Sequence, residues 1–176
     1  MDDVTTLVNE FLMYRLRING YNWEPPIKPK HNFNTDIIDA LSCLTDDFIS
    51  AYPDVILQLC SDLNCTVDDI PQTIYLIANE IFRDGITWNY ILFFLIFGSE
   101  LAISVKENKL INVVSHSIAV YINTTLLPWI NQHGGWSGLV QFKEDHIQTK
   151  KVVDKSRFKK VLNILNHILI IIFLLK

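Results

Sequence analysis

The sequence predicts an all-α fold, a helical bundle around a central buried helical hairpin, with an apolar tail at the C-terminus. Three observations predict it. Tyr90 to Phe97 is apolar without a break, and the segment continues through Leu101, Ala102, Ile103 and Val105. A helix apolar on every side has to be surrounded by other helices. A second apolar stretch, Asn108 to about Leu127, carries Leu110, Ile111, Val114, Ile118, Tyr121 and Ile122 and follows the polar turn Lys106-Glu-Asn-Lys109. Two long apolar helices joined by a tight turn make a hairpin. The segments on either side repeat their apolar residues at helical spacing. A strand is the rival reading of the eight residues Tyr90–Phe97 taken alone; the length of the wider segment favours a helix. The run itself is too short to span a bilayer unaided.

Composition bounds the classes. The chain has 176 residues, a formal net charge of −4 and a 49% hydrophobic fraction, with a mean hydropathy of +0.22. That is one domain with ample core, and apolar residues remain for a membrane or a partner. No basic stripe runs along it, which argues against nucleic acid. Six glycines and six prolines leave no room for a long flexible linker. The odd count of three cysteines (Cys43, Cys60, Cys65) and the acidic start Met-Asp-Asp-Val-Thr, which lacks a signal-peptide pattern, point to a reducing, cytoplasmic setting. Asn64-Cys-Thr66 and Asn123-Thr-Thr125 match the glycosylation pattern, and neither is expected to be used.

The elements follow in order. Val4, Leu7, Val8, Phe11, Leu12 and Leu16 form one face of an amphipathic helix ending near Asn19-Gly20. Glu24 to Asn34, with Pro25, Pro26 and Pro29, is an extended connector. Thr35 or Asp36 caps a helix whose apolar residues Ile37, Leu41, Leu44 and Phe48 recur at spacings of four, three and four. Asp54 to Leu63 reads as a short helix; Thr66-Val-Asp-Asp69 reads as the cap of another that runs through Ile74, Ile77 and Ala78 to about Phe82. Gly85 marks a turn, and the central helix runs from Thr87 to about Val105. After the second hairpin helix, Gly134-Gly135 allow a sharp reversal that lays Trp136 and Leu139 back on the bundle. The expected organisation is a helical domain over 1–142, a polar linker over 143–160 and an apolar tail over 161–176. At 1.5 Å per residue the tail's apolar stretch, 161–175, reaches roughly 23 Å against a hydrocarbon core of about 30 Å. Arg157, Lys159, Lys160 and Lys176 flank it as they would flank an anchor. It reads as a weak or conditional membrane anchor, the alternative being a tail folded back into the protein's own groove.

No catalytic constellation is present in the sequence. Histidines 31, 116, 133, 146 and 167 are scattered, Cys60 and Cys65 lack partners at zinc spacing, and there is no phosphate loop or nucleophile elbow. No enzyme activity, cofactor, metal or small-molecule substrate is expected.

Four segments, in order, resemble the homology motifs of the Bcl-2 apoptosis regulators. Glu80-Ile-Phe-Arg-Asp-Gly-Ile-Thr-Trp88, with the aromatic run to Phe97-Gly98, resembles the first motif. Val8 to Trp23, with its Phe-Leu-x-Tyr-x-Leu core, resembles the fourth, in the form of survival-promoting members. Leu41-Ser-Cys-Leu-Thr-Asp-Asp-Phe48 resembles the third, BH3, motif, giving a motif set of Ile37, Leu41, Leu44, Asp46 and Phe48; Thr45 stands where the family has a small residue. Pro128 to Phe142, with Trp129, the glycine pair, Trp136 and Leu139, resembles the second.

The resemblance implies a Bcl-2-like bundle whose apolar groove takes a BH3 helix from pro-apoptotic family members and so inhibits cell death at the mitochondrial outer membrane or endoplasmic reticulum. The pairing of BH3 helices with such grooves is a known instance of helix-in-groove recognition. Matched position by position, the groove residues are Phe48, Tyr52, Ile77, Ile81, Phe82, Arg83, Trp88, Asn89, Tyr90 and Phe97. One departure stands out. The family reads Trp-Gly-Arg where this chain reads Trp88-Asn89-Tyr90, so the close approach at the glycine and the positive charge of the arginine are both replaced. The expected consequence is a weaker or altered ligand range. The rival functions are a pore-forming effector of the same fold, and an interaction module that no longer binds BH3 helices.

Overall fold

The computed structural model describes residues 2–29, 31–53 and 67–149, and among these it holds helices and no strands. In chain order these are α1 (Asp2–Ile18), α2 (Thr35–Ala51), α3 (Asp69–Ile81), α4 (Trp88–Val105), α5 (Asn108–Tyr121), a π turn (Ile122–Leu126), α6 (Leu127–Gln132) and α7 (Ser137–Thr149). The expected short helix over Asp54–Leu63, the cap at Thr66, Cys60, Cys65 and the apolar tail lie outside the described residues.

The central helix is α4. Every residue from Tyr90 to Ser99 is buried, as are Leu101 and Ala102. Its eighteen residues pass, by length and composition, as long enough to cross a membrane, and so does the continuous run Asn108–Gln132. The cover of α4 comes from α1, α2, α3 and α5. α1 brings a fully buried face of Leu7, Val8, Phe11, Leu12 and Leu16. α3 brings Ile70, Ile74, Ile77, Ala78 and Ile81. Each large side chain so buried contributes about 1.5–3 kcal/mol. Gly98 sits where α5 crosses, and a Cβ there would overlap Ile118.

Several boundaries differ from the sequence expectation, each for a local reason. α2 is capped by Asn34, whose side chain accepts from the Asp36 N–H at 2.9 Å; Thr35 and Asp36 fall inside the helix. α4 is capped by Thr87, which accepts from the Tyr90 N–H at 3.3 Å. The second hairpin helix passes Leu127 and runs on to Gln132. Pro128 explains the intervening π turn. A proline cannot donate to the carbonyl four residues back and its ring crowds that carbonyl; widening the preceding turn, with Leu127 N–H bonded to Ile122 O, carries the helix past it. Gly134 (φ 87°) and Gly135 (φ 64°) make the reversal. α7 then continues to Thr149, seven residues into the stretch expected to be linker, with Gln141 donating to Asp145 at 3.1 Å one turn on.

Polar ties fix how the helices register. Arg15 of α1 is almost fully buried and bridges two helices: Nη2 meets Glu100 of α4 at 2.7 Å, and Nη1 lies 3.6 Å from Asp46 of α2. Tyr14 donates to the same Asp46 at 2.9 Å. The connector is strapped down by Trp23 Nε1–H to Asn112 (2.9 Å), by Tyr21 to Asn108 (3.0 Å), and by the Phe33 N–H to Glu10 (2.7 Å). Ser115 donates to Asn9 at 2.6 Å within the core.

Two outcomes follow. Arg15→Gln leaves Glu100 without its cation and should cost about 3–5 kcal/mol, read as a lowered midpoint in denaturant unfolding. Two tyrosines should resist ionisation. Tyr14 is held above its ordinary 10.0 by its hydrogen bond to Asp46, then by burial and by that carboxylate's charge. Tyr121 is held above 10.0 by burial and then by Tyr75. The folded protein keeps these protons where the unfolded chain has lost them. Their contribution is therefore intact below about pH 10 and fades as pH rises past it. Absorbance titration should show delayed phenolate formation, and Tyr14→Phe should remove part of the delay.

Candidate helix-binding groove

The C-terminal half of α2, the first turns of α4 and the body of α7 leave a cleft of about 140 Å³. It is lined by Leu44, Asp47, Phe48, Ala51 and Tyr52 from α2, Asn89 and Leu92 from α4, and Phe142 and His146 from α7. Helical spacing places them. Leu44, Phe48 and Ala51/Tyr52 are successive turns of one face, as are Phe142 and His146 on α7. The Thr87 cap starts α4 at Trp88, so Asn89 falls in its first turn facing the cleft. Phe48 is held by Tyr52 at 5.0 Å and Phe93 at 5.9 Å between ring centroids. The volume suits one large apolar side chain.

Of the ten groove residues expected from the sequence, Phe48, Tyr52 and Asn89 line this cleft. The others do not. Tyr90, at the family's arginine position, is only 8% exposed. Trp88 packs at a neighbouring corner against Trp129 (5.4 Å) and Trp136 (6.1 Å), and Trp129 stacks on His133 at 3.8 Å. Ile77, Ile81 and Phe97 lie in the core. Phe82 packs on Phe94 (5.8 Å) and Tyr121 (5.9 Å). Arg83 is drawn to Glu80 at 2.7 Å and Asp84 at 3.6 Å. Of the α2 motif set, Ile37, Leu41, Leu44 and Phe48 all face inward, and Asp46 is the carboxylate that Tyr14 and Arg15 hold. Thr45, too, is fully buried. That segment serves its own bundle as a packing helix.

Sequence reasoning missed Asp47, Ala51, Leu92, Phe142 and His146 as groove residues. The α2 periodicity could have supplied Ala51. His146 was lost because residues from Lys143 onward were read as linker, and Phe142 stood at the last residue of the expected domain.

Two larger hollows lie elsewhere. One of about 920 Å³, between α1, the connector and α2, is rimmed by Glu10, Arg17, Glu24, Lys28, Asp39 and Lys143, a mixture of charges that keeps it wet. The other, of about 530 Å³, runs between α3 and α5 beside Tyr75 and the exposed His116.

Residues 41–136, more than half the chain, match the family model of apoptosis regulator proteins of the Bcl-2 family. The chain is 29% identical over 118 residues to human Bcl-2-like protein 1, covering 65% of this chain and 51% of that protein. It is 26% identical over 132 residues to apoptosis regulator R11 of Xenopus laevis, covering 73% of this chain and 65% of that protein. It thus spans about half the length of human Bcl-2-like protein 1. In fold it is similar to the chain in the crystal structure of Trichoplax adhaerens trBcl-2L2 bound to trBak BH3, with a TM-score of 0.69, 24% identity, and coverage of 79% of this chain and 95% of that one. The buried helical hairpin and these matches agree: this chain belongs to the Bcl-2 family of apoptosis regulators.

Proposed function

We propose that this member restrains cell death by holding the BH3 helix of pro-apoptotic family members in the groove that opens at the α2–α4–α7 cleft. The observation that supports it most is the cleft itself: an apolar recess of single-side-chain size, floored by Phe48, Tyr52 and Leu92, at the start of α4. The Trichoplax relative is solved with a BH3 segment bound. The four-motif pattern, with the first-helix segment Val8–Trp23, supports a survival role. A helix docking there gains about 1.5–3 kcal/mol from each apolar anchor it buries, set against the cost of ordering both partners. The ten residues matched from the family remain the proposed groove, with the cleft as its apolar end. The unit proposed to act is the helical domain of 1–142, and the apolar tail 161–176 would bring it to the mitochondrial outer membrane or the endoplasmic reticulum.

The substituted polar point sets the ligand range. Tyr90 is neutral and nearly buried, so a BH3 aspartate finds no arginine there, and losing one member of a buried pair costs roughly 2–5 kcal/mol. Asn89 adds bulk where the family has glycine. Both changes narrow the range of partners without removing the recess.

The full chain should bind some of a panel of BH3 peptides with submicromolar Kd in calorimetric titration; no binding across the panel would refute the reading. Asn89→Gly with Tyr90→Arg should tighten binding by roughly tenfold or more, since about 1.4 kcal/mol is a factor of ten. An unchanged Kd in a folded double variant would mean the family geometry does not carry over.

A second reading, a pore-forming effector, draws on one observation: the two hairpin runs, 88–105 and 108–132, are each long and apolar enough to cross a membrane. Dye release from liposomes on adding an activating BH3 peptide would favour it; protection of liposomes against a separate effector would favour restraint.

A further inference from the structure

We infer that the groove selects a partner helix carrying a basic residue beside the apolar side chain that enters the cleft. The inference rests on the groove reading above and names the charge of its partner. Asp47 is the one ionised side chain in the lining of the cleft, and no lysine or arginine lines it. Asp47 is exposed and makes no hydrogen bond or ion pair among the described residues. This sets it apart from its neighbour Asp46, whose carboxylate is already engaged by Tyr14 and Arg15. The remaining polar groups of the lining, Asn89 and His146, can each accept or donate a hydrogen bond. Beside the cleft, α7 carries the exposed Glu144 and Asp145 next to Lys143. At the one place where the family would supply a cation, Tyr90 is a buried neutral phenol. A helix seated here with an acidic residue at the rim meets like charge. One with arginine or lysine at that register meets an unpaired carboxylate. Rim charges of this kind act mainly on association rate and on choice of partner, while the apolar anchor supplies the affinity.

The test titrates the full chain with a Bak-type BH3 peptide and with versions carrying Arg, Ala or Glu one turn to either side of its last apolar anchor. At low ionic strength the best Arg version should bind about fivefold more tightly than its Glu counterpart, the upper range for a single rim pair. The difference should shrink toward nothing near 1 M salt, where the Debye length is about 3 Å. Asp47→Asn should level the series and Asp47→Lys should reverse it. Asp47 is exposed and unpaired, so both variants should melt as the parent does. If the parent peptide binds but Arg and Glu versions stay within about twofold, or if the preference survives Asp47→Lys, the charge assignment is wrong while the groove stands. If no version binds, parent included, the groove reading falls and this inference with it.

Discussion

A helix that is apolar on all sides cannot be left partly in water, and α4 imposes that condition on everything else. Its residues from Tyr90 to Ser99 are buried without interruption, so the remaining helices are arranged as its cover. α1, α3 and α5 each present one apolar stripe to it, which is why their sequences are amphipathic while that of α4 is not. Even the buried ion pair obeys the condition. Glu100 sits where the all-apolar run ends, and Arg15 reaches it from α1, so the first carboxylate after the run is neutralised in place.

The candidate groove is the part of that cover left unfinished. At the N-terminal end of α4 the flanks are the last turns of α2 and the inner face of α7, and where they meet the helix they leave a recess beside Asn89. The recess therefore comes from the geometry of cover, and its chemistry comes from whichever side chains happen to rim it. In this chain those are mostly apolar, with a carboxylate at the edge and no cation. Phe48 and Leu92 are buried and cannot be altered without disturbing the core, whereas Asn89, Asp47 and His146 can.

Much of this was legible in the residues. The hairpin followed from Tyr90–Phe97, the polar turn at Lys106–Lys109 and the apolar run after it, because composition alone decides whether a helix is buried all round. The inward face of α2 followed from the spacing of Ile37, Leu41, Leu44 and Phe48. The connector followed from its prolines. Less legible were features that depend on tertiary partners. Asn34 won the cap because the helix begins at Thr35, earlier than a cap at Thr35 or Asp36 would allow. Pro128 looked like a terminus, and only the π turn shows how the helix continues through it. Lys143 to Thr149 looked like linker because its residues are charged, yet one wet face is all that a helix lying on α2 and α7's own pairings require. With α7 shortened in that way, His146 dropped out of the expected site. Trp88, Ile77 and Phe97 entered it by matching motif positions and stand outside the α2–α4–α7 cleft.

The distribution of tryptophan has an optical consequence. Of the four in the chain, Trp23 is buried beneath the connector with its indole N–H bonded to Asn112, while Trp88, Trp129 and Trp136 crowd one corner where α4 begins and the α6–α7 reversal lies against it. Indoles within 5.4–6.1 Å of one another exchange excitation readily, and the stacked His133 ring adds a quencher at 3.8 Å. Asn89 is the next residue along from Trp88. Three of the four indoles therefore stand beside the rim of the cleft, and a change in their emission reports on events there against Trp23 as a separate background.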